Sequence, residues 1–193
     1  MKNWKKELLT IPNLLSLFRF LLIPVYVVIY LNATEPNDYF LAAAILAVSC
    51  LTDLIDGKIA RHFNMISTVG KILDPLADKA TQFTLILCLA MKHYIIRYMV
   101  CLFFVKEVFQ LVAGLLTIRK GRMLRGALLT GKICTTVLFV SLIIMVLLPE
   151  LPENIVNIIS LVDIGFLLLS FADYIATYLF RMNKFEPFEK PTK

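Results

Sequence analysis

Long apolar stretches separated by short polar segments dominate the chain. A helix needs about 20 predominantly apolar residues to cross the hydrocarbon of a bilayer, and six stretches fit that length. We place the six predicted spans at 14–31, 39–58, 73–91, 96–118, 127–148 and 155–180. The pattern therefore predicts an all-α integral membrane protein with six transmembrane helices.

The N-terminal segment, residues 1–13, mixes apolar side chains and Trp4 with Lys2, Lys5 and Lys6. This mixture is typical of a short amphipathic juxtamembrane helix that lies on the membrane surface. The alternative is the start of a signal peptide. However, the apolar stretch after it is long, and no clear small-residue cleavage site follows. We expect the segment to be retained.

Composition agrees with a membrane location and argues against a soluble domain. Of the 193 residues, 59% are hydrophobic and the mean hydropathy is +0.79, well above the usual apolar share of soluble domains. The net charge of +6 comes from basic residues next to the apolar stretches. Membrane topology and anionic lipid explain that charge better than nucleic acid does. The four cysteines have no C-x-x-C spacing, so we expect free thiols.

Basic residues occupy alternate ends of the predicted spans. They concentrate before and at the start of the first span (Arg19 among them), in connections 2–3 and 4–5, and in the tail 181–193. Lys92 and Arg97 are the two exceptions. Because cytoplasmic loops carry the excess of Lys and Arg, we expect both termini and connection 2–3 on the cytoplasmic side of the cell membrane. We predict a single membrane domain over 1–193, ending in a frayed tail.

Four carboxylates lie where the second and third predicted spans meet the polar connection between them. The spacing of Asp53 and Asp56 gives them one helix face, and that of Asp74 and Asp78 gives them one face of the next helix. Pro75 favours a helix start near Asp74. An ionised carboxylate beside hydrocarbon needs a partner or a bound cation. Two opposed faces of carboxylate oxygens would suit Mg²⁺ or Mn²⁺.

The pattern D-x2-D-G-x2-A-R-x8-G-x3-D-x3-D runs from Asp53 to Asp78. It resembles the signature of the CDP-alcohol phosphatidyltransferases, and every fixed position is filled. The resemblance implies an enzyme that transfers a phosphatidyl group from CDP-diacylglycerol to an alcohol and releases CMP. Two alternatives stay open: a transporter that uses intramembrane carboxylates, and an aspartate-rich membrane prenyltransferase with a different aspartate spacing.

The resemblance also implies roles for individual residues. Two divalent cations, Mg²⁺ or Mn²⁺, would be held by the four carboxylates Asp53, Asp56, Asp74 and Asp78. Asp78 would in addition orient the acceptor hydroxyl and collect its proton. The residues implied in binding CDP-diacylglycerol are Gly57, Ala60, Arg61, Ser67, Pro12 and Asn13. Relatives in this family are homodimers, so a homodimer is expected.

The acceptor is implied less directly. Ile11-Pro12-Asn13, Leu73 to Lys79 and Gly131-Lys132 look most like bacterial phosphatidylglycerophosphate synthases, whose acceptor is glycerol 3-phosphate. The alternatives are a cardiolipin synthase of the same family, which uses phosphatidylglycerol, and an inositol-phosphate acceptor. One departure matters, because such synthases often carry Arg-Glu where this chain has Lys106-Glu107. The residues predicted to bind the acceptor are Lys132, Lys106, Glu107, Arg119, Arg122 and Arg125.

Two further acidic residues in the last span match no part of the motif. Asp163 and Asp173 lie among apolar residues, where a charge is unfavourable. The sequence assigns them no specific role, and a hydrogen bond between neighbouring helices is the general explanation for such residues.

Overall fold

The computed structural model describes the backbone of residues 11–62, 70–124, 126, 128–180 and 185–187. Side chains are described for 13–52, 74–122, 124, 126, 128–180 and 185. Of the predicted surface helix 1–13, the described residues are 11–13, which form the start of the first long helix.

Six helices account for nearly all of the described chain. They are α1 (Ile11–Asn32), α2 (Pro36–His62), α3 (Gly70–Lys92), α4 (Ile96–Arg119), α5 (Leu129–Leu147) and α6 (Glu153–Phe180). The all-helical prediction is confirmed, and each predicted span matches one helix to within four residues at either end. Within the described residues, four segments are long and apolar enough to cross a membrane: Asn13–Asn32, Ile96–Arg119, Leu129–Leu147 and Glu153–Phe180. Membrane crossing by α2 and α3 stays a prediction.

Helix α3 begins earlier than the sequence indicated. It starts at Gly70, so Pro75 lies inside the helix rather than in its first turn, and the expected start near Asp74 was wrong. An extra turn before the proline places Gly70, Asp74 and Asp78 on one continuous helix. Their spacing of four residues puts them on one face, as predicted.

The chain divides into two compact units. The first contains Met1–Lys92 and Ile143–Leu151, and the second contains His93–Leu142 and Pro152–Lys193. In the first unit α1 packs against both α2 and α3. Each of these helices buries a pair of residues one turn apart, which is the spacing of a packed helix face. The buried pairs are Tyr26 and Tyr30, Ala42 and Leu46, and Leu85 and Leu89.

Lys92, one of the two basic residues that did not fit the predicted distribution of charge across the membrane, lies against two aromatic rings. The Lys92 ammonium group, at the end of α3, lies 3.9 Å from the centroid of the Tyr39 ring and 5.0 Å from that of Tyr30. It also hydrogen-bonds the Tyr39 hydroxyl, which donates to the Ala33 carbonyl at 3.0 Å. A cation over a tyrosine ring is stabilised electrostatically. Lys92 therefore ties the ends of α1, α2 and α3 together.

The start of α2 is stabilised by its own first turn. The backbone N–H groups of Thr34 and Glu35 donate to Asp38 Oδ2 at 2.9 and 3.1 Å. A carboxylate that reaches back to the residues before a helix satisfies donors that the helix leaves without partners. These bonds, the one from Thr34 most strongly, lower the pKa of Asp38 below its ordinary value.

In the second unit α4 packs against α6, and a short antiparallel ribbon follows the end of α4. Strand β1 (Arg122–Leu124) pairs with β2 (Phe185–Pro187), with Met123 opposite Glu186. Gly121 turns the chain into β1 with a φ of +72°, a conformation that glycine adopts without strain. The Phe185 ring packs 5.5 Å from Tyr178 of α6. The predicted frayed tail was therefore wrong for residues 185–187.

Candidate active site

Two carboxylates of the predicted metal site lie one turn apart on α3. The side chains of Asp74 and Asp78 are 39% and 49% exposed, so both remain accessible to a ligand. Their spacing of four residues brings the carboxylates together on one face of the helix.

Both carboxylates face a buried arginine on α1. Arg19 is 2% exposed, and its Nη1 donates to Asp78 Oδ1 at 2.5 Å. Its Nη2 lies 3.7 Å from Asp74 Oδ1. A guanidinium group with two separate N–H arms suits contact with two carboxylates at once.

Helix α1 supplies a second polar contact one turn before Arg19. The Ser16 hydroxyl, which is fully buried, donates to Asp74 Oδ1. Asn13 is buried as well. The three residues recur every third position, so they share one face of α1. An apolar helix thus presents Ser16 and Arg19 to α3, and Asn13 is buried one turn before Ser16.

These two carboxylates fit a divalent cation in chemistry and exposure. Carboxylate oxygens are the hard donors that Mg²⁺ and Mn²⁺ prefer, and a carboxylate has about four lone-pair positions in all. Among the side chains that the structure describes, no group of three or more His, Cys, Asp or Glu residues comes together as a metal site. A complete cage requires Asp53 and Asp56, whose side chains lie outside the described residues, so the cage stays a prediction.

A second polar cluster lies in the other unit, on α4 and α6. Lys106 is 2% exposed, and its ammonium group contacts Glu107 Oε1 at 2.7 Å, while Glu107 is 21% exposed. The same ammonium lies 5.9 Å from the centroid of the Tyr174 ring. A buried lysine on an apolar helix is expensive unless it is paired, and here it has both an anion and a ring.

The first turn of α5 is fastened to α6 beside this cluster. The Thr130 hydroxyl donates to Asp173 Oδ2 at 2.7 Å. Farther along, the Ser141 hydroxyl donates to Asp163 Oδ1 at 3.0 Å. Asp163 and Asp173, to which the sequence assigned no specific role, thus both accept hydrogen bonds from hydroxyl groups of α5.

Residues 9–175 match the family model described as CDP-alcohol phosphatidyltransferase. The chain belongs to the CDP-alcohol phosphatidyltransferase family. The match covers all six helices except the last five residues of α6, so the carboxylates of α3 and the Lys106 cluster both lie within it.

The similar proteins carry different names. The chain is 42% identical over 85 residues to CDP-diacylglycerol–glycerol-3-phosphate 3-phosphatidyltransferase of Escherichia coli K12, which is 44% of this chain and 45% of that protein. It is 40% identical over 75 residues to cardiolipin synthase (CMP-forming) of Streptomyces coelicolor, covering 38% of this chain and 35% of that protein.

A third relative is a fusion protein of Schizosaccharomyces pombe named cardiolipin synthase (CMP-forming) / mitochondrial hydrolase. It is 40% identical over 90 residues, covering 46% of this chain and 14% of the fusion protein. In each of these three comparisons the matched segment spans less than half the length of the relative.

Several predicted site residues lie outside the described side chains. For five of them the structure describes the backbone alone, which belongs to α2: Asp53, Asp56, Gly57, Ala60 and Arg61. Pro12 is likewise described by its backbone, in α1. Ser67 and Arg125 lie outside the described residues altogether. The predicted roles of all eight stay predictions.

The remaining cations predicted to bind the acceptor differ from Lys106 in their surroundings. Lys132 on α5, Arg119 at the end of α4 and Arg122 in β1 are exposed. Exposed basic side chains are equally compatible with a role in topology. Their part in acceptor binding stays a prediction.

Sequence reasoning missed Arg19 and Ser16 as site residues, because it interpreted Arg19 as one of the basic residues that set topology. A signal for them was present. Asn13, Ser16 and Arg19 recur every third position in an otherwise apolar helix, which indicates a polar row facing protein rather than lipid.

Gly131 on α5 lies close to the Tyr174 side chain of α6, and enlarging it should destabilise the protein. A Cβ at Gly131 would lie 2.8 Å from the Tyr174 hydroxyl oxygen and 2.9 Å from its Cε2. Tyr174 is buried and its hydroxyl has a backbone hydrogen bond with Leu128, so it cannot easily move away. We expect Gly131→Ala to lower the free energy of unfolding by about 1–3 kcal/mol, measured by denaturation in detergent.

Gly165 provides a matched control, because it lies on α6 and nothing within 4 Å would meet a Cβ there. We expect Gly165→Ala to be neutral or slightly stabilising, since alanine is the better helix former. Adding Tyr174→Phe to Gly131→Ala should recover part of the loss, because it removes the nearest clashing atom. Wild-type stability of Gly131→Ala alone would contradict the close approach.

Proposed function

We propose that this protein transfers a phosphatidyl group from CDP-diacylglycerol to a hydroxyl of glycerol 3-phosphate, giving phosphatidylglycerophosphate and CMP. The observation that carries the proposal is the Asp74–Asp78 pair, accessible on α3 and held by Arg19, inside the region that matches the family. Family membership favours group transfer over ion transport or prenyl transfer. The charge bias favours a site on the cytoplasmic side of the membrane.

The reaction joins the acceptor hydroxyl oxygen to the lipid-linked phosphorus and breaks the bond from that phosphorus to the oxygen of CMP. When bound, divalent cations supply the positive charge that offsets the charge on the diphosphate and on the departing CMP. Asp53, Asp56, Asp74 and Asp78 are the residues that would hold them. Most of the remaining task is positioning.

The chain's own residues supply that positioning. Asp78 orients the acceptor hydroxyl and takes its proton as the new P–O bond forms. Arg61 grips the donor phosphates with a planar, permanently charged guanidinium. Gly57 and Ala60 let the cytidine approach the backbone of α2, and a small residue at each position is what such an approach needs.

Lys106 is the best-supported candidate for holding the phosphate of glycerol 3-phosphate. It is a buried cation next to an anion that a substrate phosphate can replace or share, and charge-assisted hydrogen bonds to phosphate are strong. The exposed cations Lys132, Arg119 and Arg122 provide further positive charge in the same unit. The partial identity with the Escherichia coli glycerol-3-phosphate enzyme favours this acceptor.

A second candidate function has support of its own. Two relatives of comparable identity are named cardiolipin synthase (CMP-forming). A lysine in α4 can contact the phosphodiester of phosphatidylglycerol as well as a phosphate monoester, because a single ammonium does not require bidentate geometry. Phosphatidylglycerol is therefore the alternative acceptor.

CMP release measured with each acceptor distinguishes these functions. Purified protein receives CDP-diacylglycerol, Mg²⁺ or Mn²⁺, and then glycerol 3-phosphate, phosphatidylglycerol or an inositol phosphate. We expect CMP release with glycerol 3-phosphate. Release with phosphatidylglycerol and none with glycerol 3-phosphate would establish the alternative, and no release with any acceptor would contradict phosphatidyl transfer.

A further inference from the structure

We propose that Arg19 is a positioning residue that holds Asp74 and Asp78 from the buried side of α1 and thereby sets the affinity of the site for divalent cations. The inference rests on the proposed function, because it assumes that these carboxylates bind metal. It concerns a residue outside the Asp53–Asp78 motif.

The arginine and the two carboxylates differ in how far they are buried. The Arg19 guanidinium is almost completely buried, whereas both carboxylates are about half exposed. The arginine therefore reaches them from the protein interior, and their exposed surface faces the space where a ligand can enter. A buried guanidinium on an apolar helix is maintained only by such partners.

A hydrogen bond from Arg19 to one oxygen does not by itself use up the coordinating capacity of a carboxylate. A carboxylate has two oxygens and about four lone-pair positions. Arg19 engages one oxygen of Asp78, and Ser16 engages one oxygen of Asp74. Each carboxylate can therefore accept these hydrogen bonds and coordinate a cation at the same time, as metal-binding carboxylates commonly do.

Two opposing effects decide the sign of the Arg19 contribution. Its positive charge repels a dication, which lowers affinity. Its hydrogen bonds fix the orientation of two like charges that would otherwise repel each other and turn apart, which raises affinity. The 2.5 Å contact fixes the Asp78 carboxylate closely, and we infer that this positioning effect exceeds the repulsion. Loss of such supporting contacts typically weakens metal binding by about 10–100-fold.

Titration of Mn²⁺ into the purified full-length protein, without lipid substrate, tests this inference. The electron paramagnetic resonance signal of free Mn²⁺ reports binding independently of activity. We expect Arg19→Met to bind Mn²⁺ about 10–100-fold more weakly than the wild type, and Arg19→Lys to fall between the two.

Arg97→Met is the matched control, because that arginine lies against the Tyr94 ring. The Mn²⁺ affinity of this variant should equal that of the wild type. Equal or tighter binding by Arg19→Met would overturn the inference.

Ser16→Ala keeps the test decisive if Arg19→Met does not fold. It removes one hydroxyl from the same buried row, and we expect a smaller loss of affinity in the same direction. Wild-type affinity in both Ser16→Ala and Arg19→Lys would also overturn the inference. Turnover gives a second readout, because saturating Mn²⁺ should restore much of kcat in Arg19→Lys if the residue acts through metal affinity. Failure of that rescue would count against positioning.

The wild-type protein separates failure of the inference from failure of the proposed function. If the wild type binds Mn²⁺ and releases CMP while Arg19→Met retains its affinity, the inference alone fails. If the wild type binds no Mn²⁺ and releases no CMP, the proposed function fails and the inference fails with it.

Discussion

Replacing Asp78 with asparagine should lower kcat by about 10²–10⁴-fold, the range expected when a group that moves a proton is lost. The variant also removes an anionic oxygen from the predicted metal site. The amide keeps the size of the side chain, and its oxygen can still accept a hydrogen bond from Arg19, which contacts Asp78 at 2.5 Å in the wild type. The protein should therefore stay folded while activity is lost. The measurement is CMP release under saturating substrate, together with thermal unfolding of the same preparation.

Asp38→Asn is the matched control for Asp78→Asn. Asp38 is a carboxylate of the same unit that accepts hydrogen bonds from the backbone N–H groups just before its own helix. Its replacement should leave kcat unchanged. Activity of Asp78→Asn within a few-fold of the wild type would contradict the role assigned to Asp78.

Replacing Lys106 with methionine should lower the free energy of unfolding by about 3 kcal/mol, because removing one member of a buried ion pair leaves the other charge without its partner. The Glu107 side chain is 21% exposed, so water can still solvate its charge. The expected loss therefore lies at the lower end of the usual range. If Lys106 also binds the acceptor phosphate, the variant should raise KM for glycerol 3-phosphate by about 10–100-fold, the effect of losing a hydrogen bond to a charged group.

A double replacement separates the two roles of Lys106. Lys106→Met with Glu107→Met removes both charges, which often restores or improves stability. We expect stability to recover while KM for glycerol 3-phosphate stays high. Recovery of both would show that the pair only braces α4. Lys120→Met, an exposed lysine just after α4, should change neither quantity.

The helices could be predicted from the sequence because each is a local property of an apolar stretch long enough for a span. All six lie within four residues of their predicted bounds. The error at α3 had a local cause, since Pro75 disfavours helical geometry in the residue before it. The helix nevertheless continues through Asp74 from Gly70.

The contacts of Arg19 could not be predicted in the same way. The contact of Arg19 with Asp78 joins residues 59 positions apart, and that of Ser16 with Asp74 joins residues 58 positions apart. Only packing of α1 against α3 brings them together. In addition, the predicted topology already accounted for Arg19, so no second role was expected of it. Lys92 is the opposite case, because its position conflicted with the predicted charge distribution. The structure supplies the reason, since its ammonium group is stabilised by the rings of Tyr30 and Tyr39.

The central claim is that α2 and α3 share their four aspartates around divalent cations. Anomalous diffraction from crystals grown with Mn²⁺ and CDP-diacylglycerol tests it most directly. The account predicts Mn²⁺ peaks between the two helices, in coordination contact with Asp53, Asp56, Asp74 and Asp78. Mn²⁺ peaks bound only by other residues, or carboxylates of α2 and α3 turned toward separate surfaces, would contradict it.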